Sequence, residues 1–276
     1  METISKKGLT AFQLKILALV FMTFDHIHYM FTGILDIPMW FTMIGRLAAP
    51  IFIFMVANGM HHTHSREKYM LRLYIGAVGM SMLNYILEIH FPHPTGAALM
   101  GNIFATMFLI CLYIYIGGKI KENAGVKNAG KIVLFVLLGT IPLIGSIAFL
   151  PLVQCLPANL RWIAVVISSL LPSVLLVEGG FMYIILGIGF YLCGQKKWKQ
   201  AVFYLVYCAV IFLFSVNFSN FGFEELFRIN IQWMMVFALP FILLYNGQRG
   251  RGMKYLFYVY YPTHIYLLLF IARAIA

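Results

Sequence analysis

Charge is what this sequence lacks most. Only 11% of its 276 residues are Asp, Glu, Lys or Arg, whereas soluble domains carry roughly a quarter. With 62% hydrophobic residues and a mean hydropathy of +0.88, that scarcity excludes a soluble core and points to an integral membrane protein. Cysteine is scarce as well. Cys111, Cys155, Cys193 and Cys208 lie in or beside apolar runs with no CxxC pair, so they read as packing residues rather than a disulfide framework or a zinc site. Long hydrophilic insertions and a clear repeat are also missing, which leaves one transmembrane domain over residues 1–276. The first apolar run is long, holds Asp25 and lacks a small-residue cleavage site, so no cleaved signal peptide is expected.

Present instead are apolar runs of about 15–22 residues, the length that spans roughly 30 Å of hydrocarbon. A chain in lipid satisfies its backbone polar groups internally, so the expected fold is an all-α polytopic helical bundle. The runs fall near residues 11–33, 41–60, 69–90, 99–118, 132–150, 161–177, 180–194, 201–217, 231–246 and 255–274. The net charge of +11 suggests nucleic acid only in a soluble protein, and no basic domain exists here to carry it. The cations sit in short loops instead. Lys6 and Lys7, then Arg66, Lys68 and Arg72, then Lys119, Lys121, Lys127 and Lys131 mark alternate loops as cytoplasmic. ILDIP and HFPHPTG carry no Lys or Arg and face outward, so the N-terminus is cytoplasmic.

Beyond Lys131 that alternation breaks. GQKKWKQ and NGQRGRGMK are both basic and belong inside, yet three apolar runs separate Lys131 from Lys196. Either one run is broken or re-entrant, or the charge rule fails once. Pro172 and the Glu178-Gly179-Gly180 interruption place the suspicion on residues 161–194. The count is nine or ten crossings.

The stretch LALVFMTFDHIHYMF, residues 17–31, puts Asp25, His26 and His28 inside an apolar segment. A charge at mid-bilayer costs about 2.5–3.5 kcal/mol on insertion scales and usually pairs or lines a functional cavity. The turn after this segment centres near Asp36, and His26 and Arg46 are each ten residues from it. Equal distance from the turn of an antiparallel hairpin means equal depth, so Asp25 and Arg46 can neutralise one another with His26 beside them. This is either a structural ion pair with a satisfied histidine, or an oriented imidazole acting as a general base. Lys15 lies eleven residues before His26, roughly 16.5 Å along the helix. A cation near the cytoplasmic end and a base deeper in suit a long anionic cofactor. A snorkelling lysine is the plain alternative.

The DH pair of the first segment, GRLAAPIFIFMVANGMHHTHSREKYMLRL (45–73), NIFATMFL (102–109), VEGGF (177–181) and KYLFYVYYPTHIYLL (254–268) resemble the TraX family. These are bacterial inner-membrane proteins associated with acetylation of conjugative pilin. The spacing Lys15-x(10)-His26 is also similar to the basic-x(10)-histidine motif of the acyltransferase-three membrane enzymes, O-acylators of carbohydrates. The resemblance implies a membrane acetyltransferase of the bacterial cytoplasmic membrane using cytosolic acetyl-CoA, with no metal. It implies catalysis by His26, Asp25 and Arg46, and an amine or hydroxyl acceptor on a protein, glycan or lipid. An acetyl-histidine relay is the rival to direct transfer. The competing classes are a transporter or flippase of a small polar or lipid-linked solute, and a non-enzymatic assembly factor for a pilus or envelope complex.

The other polar residues carry paired readings. Arg66, Lys68 and Arg72 either clamp CoA phosphates or set topology against anionic lipid. Asn102 and Thr106 share a helix face and either bind across helices or hold a thioester carbonyl. His264 is expected among the cofactor-binding residues, opening on the cytosolic side. His61, His62 and His64 have no carboxylate in ligand position and read as interfacial.

Overall fold

The computed structural model describes residues 7–99 and 101–276; Lys6, one of the topology markers, lies outside them. Among the described residues the chain is all helical, the only β pairing being an isolated bridge between Leu9 and Tyr245. Its longer helices are α1 (Ala11–Phe31), α2 (Trp40–Gly45), α3 (Ala48–His62), α4 (Arg66–His90), α5 (Ile103–Gly125) and α6 (Ala129–Cys155). They continue with α7 (Arg161–Leu170), α8 (Gly180–Cys193), α9 (Lys197–Ser215), α10 (Leu239–Leu243) and α11 (Lys254–Ile275). Local chemistry sets the starts. Thr10 caps α1 in a reciprocal box with Gln13, Ser65 caps α4 through the Lys68 amide, and Asn102 and Asn128 do the same for α5 and α6. Each cap satisfies amides that a helix leaves unpaired.

The contacts divide the chain into two compact units. The first holds residues 1–55, 93–97 and 193–276, the second 56–92 and 98–192. In the first, α1 packs on α2 and on α11. Helix α9 packs against the 3₁₀ segment Ile231–Ala238 in an antiparallel sense, with Lys197 Nζ on the Leu243 carbonyl and Tyr204 Oη on that of Met235. The loop at His93 closes the far end of α1, where the His93 Nε2 lies 2.8 Å from the Met30 carbonyl.

In the second unit α4, α5 and α6 pack in sequence, and α7 lies on α4 and α6. Residues 171–179 are not helical, and Gly179 and Gly180 turn the chain at φ of +69° and +53°. Irregular backbone at membrane depth needs partners, and this stretch has them. Val174 N–H donates to the Pro142 carbonyl, Leu175 N–H to Ser146 Oγ, and the Glu178 carbonyl accepts from Thr106 Oγ1. Helix α7 runs antiparallel to α6 and α8 runs parallel to α5, bringing Gly187 against Ile110. Both short helices therefore travel the same way and together make one interrupted traverse.

Seven helices among the described residues are long and apolar enough to cross a membrane, α2 and α3 counting as one over Trp40–His62, and three shorter apolar ones accompany them. The chain is a polytopic helical membrane protein. The interrupted traverse of α7 and α8 is the broken run suspected between residues 161 and 194. At 14 residues α8 rises about 21 Å, short of the roughly 30 Å core. Counting that pair once and the short apolar helix Ile231–Leu243 once, the described residues offer nine candidate traverses.

Candidate active site

The first unit gathers the ionisable residues of α1, α2 and α11. Asp25 faces α2. Its Oδ1 accepts from Arg46 Nη2 at 2.5 Å and from Thr42 Oγ1 at 2.6 Å. The side chains are 13% exposed for Asp25 and 25% for Arg46. Arg46 also donates Nε–H to the Thr42 carbonyl and Nη1–H to Gln232 Oε1, each at 3.3 Å. The close approach needs a glycine at position 45, where a Cβ would stand 2.3 Å from the Cβ of Asp25.

His26 faces another way. Successive helical residues point about 100° apart, so the neighbour of Asp25 is turned toward α11 rather than α2. Its Nδ1 lies 2.7 Å from the Nε2 of His264, with the two ring planes 4° from parallel. His26 is 3% exposed. His264 Nδ1 in turn lies 2.9 Å from the Tyr260 carbonyl. One turn earlier Tyr260 Oη and Thr23 Oγ1 meet at 2.8 Å, which pins α1 to α11 beside the imidazole pair.

Two expectations change here. The expected pair Asp25–Arg46 forms, but the hydrogen bond of His26 runs to His264 rather than to that pair. His264 itself is buried against His26 rather than opening at the helix end as a cofactor-binding residue. Lys15 sits on α1 with its ammonium 5.3 Å from the centroid of the Phe257 ring, a cation–π contact.

The remaining residues lie in the second unit. Arg66 donates Nε–H to the Met60 carbonyl at the end of α3 and Nη2–H to Tyr191 Oη, while Lys68 and Arg72 are exposed. Asn102 is fully engaged. Its amide hydrogens go to the Ala77 carbonyl and Ser81 Oγ, and its oxygen caps the Ala105 amide. No group is left for a thioester carbonyl, so Asn102 ties α4 to α5. His61 stacks on Tyr191 and His62 Nδ1 meets the Asn58 carbonyl. Thr42, Gln232, Thr23 and Tyr260 were not singled out from sequence. The i, i+4 spacings Thr42–Arg46 and Tyr260–His264 are the signal that finds two of them.

A multi-pass protein with two linked imidazoles and an ion pair inside its membrane segments is a class with a specialised buried site. The family is specific. The model of the TraX protein family matches residues 11–272, and the chain belongs to that family. It is also similar to a protein of Dichelobacter nodosus described as probable fimbrial assembly protein FimC, serogroup H1. The identity is 24% over 272 residues, covering 94% of each chain. No solved structure matches.

Proposed function

We propose that this protein is an acetyltransferase of the bacterial cytoplasmic membrane, taking acetyl groups from cytosolic acetyl-CoA to an amine or hydroxyl of a pilus or envelope component. The observation that carries the reading is the buried His26–His264 pair in a chain of the TraX family, a family associated with pilin acetylation. The similarity to a probable fimbrial assembly protein agrees in setting. The His26 imidazole takes the acceptor proton as the acceptor oxygen or nitrogen bonds to the thioester carbon. The C–S bond then breaks, and the CoA thiolate leaves with the proton returned from His26. Lys15, on the same helix toward its N-terminal end, attracts the phosphates, with the N-terminus on the cytosolic side. At that end a cleft of about 290 Å³ bounded by Lys7, Gln195, Lys197, Gln200 and Asn246 offers further cations and amides.

The test is direct. Purified protein in nanodiscs with acetyl-CoA and a pilin or glycan acceptor should release free CoA and acetylate the acceptor. His26→Ala should lose at least about 100-fold of that rate, the usual range for a general base, while remaining inserted. Wild-type protein that leaves acetyl-CoA intact with every acceptor tried refutes the reading. A transporter reading draws on the non-helical stretch 171–179 and predicts solute flux with no thioester cleavage.

A further inference from the structure

We propose that His264 is a positioning residue that holds His26 in the tautomer with hydrogen on Nδ1, leaving Nε2 as the basic nitrogen that meets the acceptor. The catalytic half of this inference rests on the function proposed above; the tautomer half does not.

The assignment follows from one group that cannot donate. The Tyr260 carbonyl oxygen only accepts, so the His264 Nδ1, 2.9 Å away, carries a hydrogen. A neutral imidazole has one such hydrogen, so the Nε2 of His264 presents a lone pair. At 2.7 Å from it, the His26 Nδ1 must supply the hydrogen, and the His26 Nε2 is then bare. Ring geometry agrees. Parallel rings whose nitrogens meet at 2.7 Å while their centroids stay 4.9 Å apart approach nearly edge to edge, close to the in-plane direction of imidazole N–H groups and lone pairs.

The bare nitrogen also has somewhere to act. Among the described residues, no fully buried side-chain nitrogen or oxygen lacks a hydrogen-bond partner. His26 makes one hydrogen bond there, through Nδ1. Its Nε2 therefore belongs to the 3% of the residue that reaches open space. When Nε2 takes a proton from an acceptor, the Nδ1 hydrogen lies between two basic nitrogens and can pass to His264. The charge is then shared by two rings, with Tyr260 still accepting from the second. Holding the tautomer is the part that a carboxylate plays in a Ser-His-Asp triad, though that carboxylate stays ionised and takes no proton; here the place is filled by a neutral base suited to an apolar site.

The experiment reads the tautomer first. Protein labelled with ¹⁵N-histidine in nanodiscs, with the His26 signal identified by its loss in His26→Ala, should show His26 hydrogenated at Nδ1 near neutral pH. His264→Gln, whose amide oxygen accepts, should keep that tautomer. His264→Phe, which fills the space without an acceptor, should release it toward the Nε2–H form. In acetyl transfer, His264→Phe should lower kcat by on the order of 10–100-fold with the KM for acetyl-CoA within about twofold, and His264→Gln should recover most of the loss. An Nε2–H tautomer in the wild type overturns the inference, as does an unchanged tautomer in a folded His264→Phe variant. Wild-type protein with no transferase activity but the Nδ1–H tautomer overturns the proposed function and leaves the tautomer assignment standing.

Discussion

Replacing Arg46 by alanine isolates the worth of the ion pair between α1 and α2. Asp25 would keep Thr42 Oγ1 as its donor and lose the guanidinium at 2.5 Å, leaving a carboxylate that is 13% exposed with no opposing charge from that partner. Breaking a buried pair by removing one member costs about 3–5 kcal/mol. Arg46 is 25% exposed, so water recovers some of the lost solvation and the expectation falls to about 2–3 kcal/mol. The second perturbation, Asp25→Asn, removes the charge that Arg46→Ala strands while keeping an oxygen for Thr42. The double variant should regain about 1–2 kcal/mol over Arg46→Ala alone, a coupling of the size seen between directly contacting residues. Unfolding in mixed micelles by SDS titration reads all four corners of the cycle. Additive effects of the two substitutions would refute the claim that Asp25 and Arg46 stabilise the hairpin as a pair.

Other expectations use the same measurement. Gly45→Ala places a methyl 2.3 Å from the Asp25 Cβ, so α1 and α2 must separate; overpacking of this kind costs about 1–3 kcal/mol, and an unchanged SDS midpoint would contradict the close approach. Asn102→Leu leaves the Ser81 hydroxyl and the Ala105 amide without that partner, which should destabilise by about 1–3 kcal/mol. Because Asn102 is engaged within the protein, the KM for acetyl-CoA should stay within about twofold in that variant, and a large rise would restore it as a donor-binding residue.

How much was legible in the sequence follows from distance along the chain. Asp25 and Arg46 are joined by a tight hairpin, and a constant rise of 1.5 Å per residue turns equal spacing from Asp36 into equal depth, so their pairing was readable before any packing was known. The same arithmetic says nothing about which side chain on α1 looks at which neighbour. That is why the spacing places His26 beside the Asp25–Arg46 pair when its ring meets His264 of α11. His264 is separated from His26 by 238 positions, and no local pattern announces a contact that depends on how α11 settles against α1. The interruption near Glu178 was visible through Pro172 and two adjacent glycines. That α7 and α8 travel in one sense required the contacts to Pro142, Thr106 and Ile110. Asn102 showed its helix-facing chemistry in sequence, but only the positions of Ala77 and Ser81 reveal that its amide is spoken for.

The partners in the imidazole pair come from α1 and α11, so translation delivers one long before the other. At synthesis rates of about 5–20 residues per second, a nascent chain carries His26 for roughly 10–50 s before His264 emerges from the ribosome. During that interval the His26 of α1 stands without its partner ring, and the pair can form only once α11 has been made. If the proposed function holds, truncation anywhere short of α11 should therefore yield an inserted protein that transfers no acetyl group, because the second ring of the pair is never made.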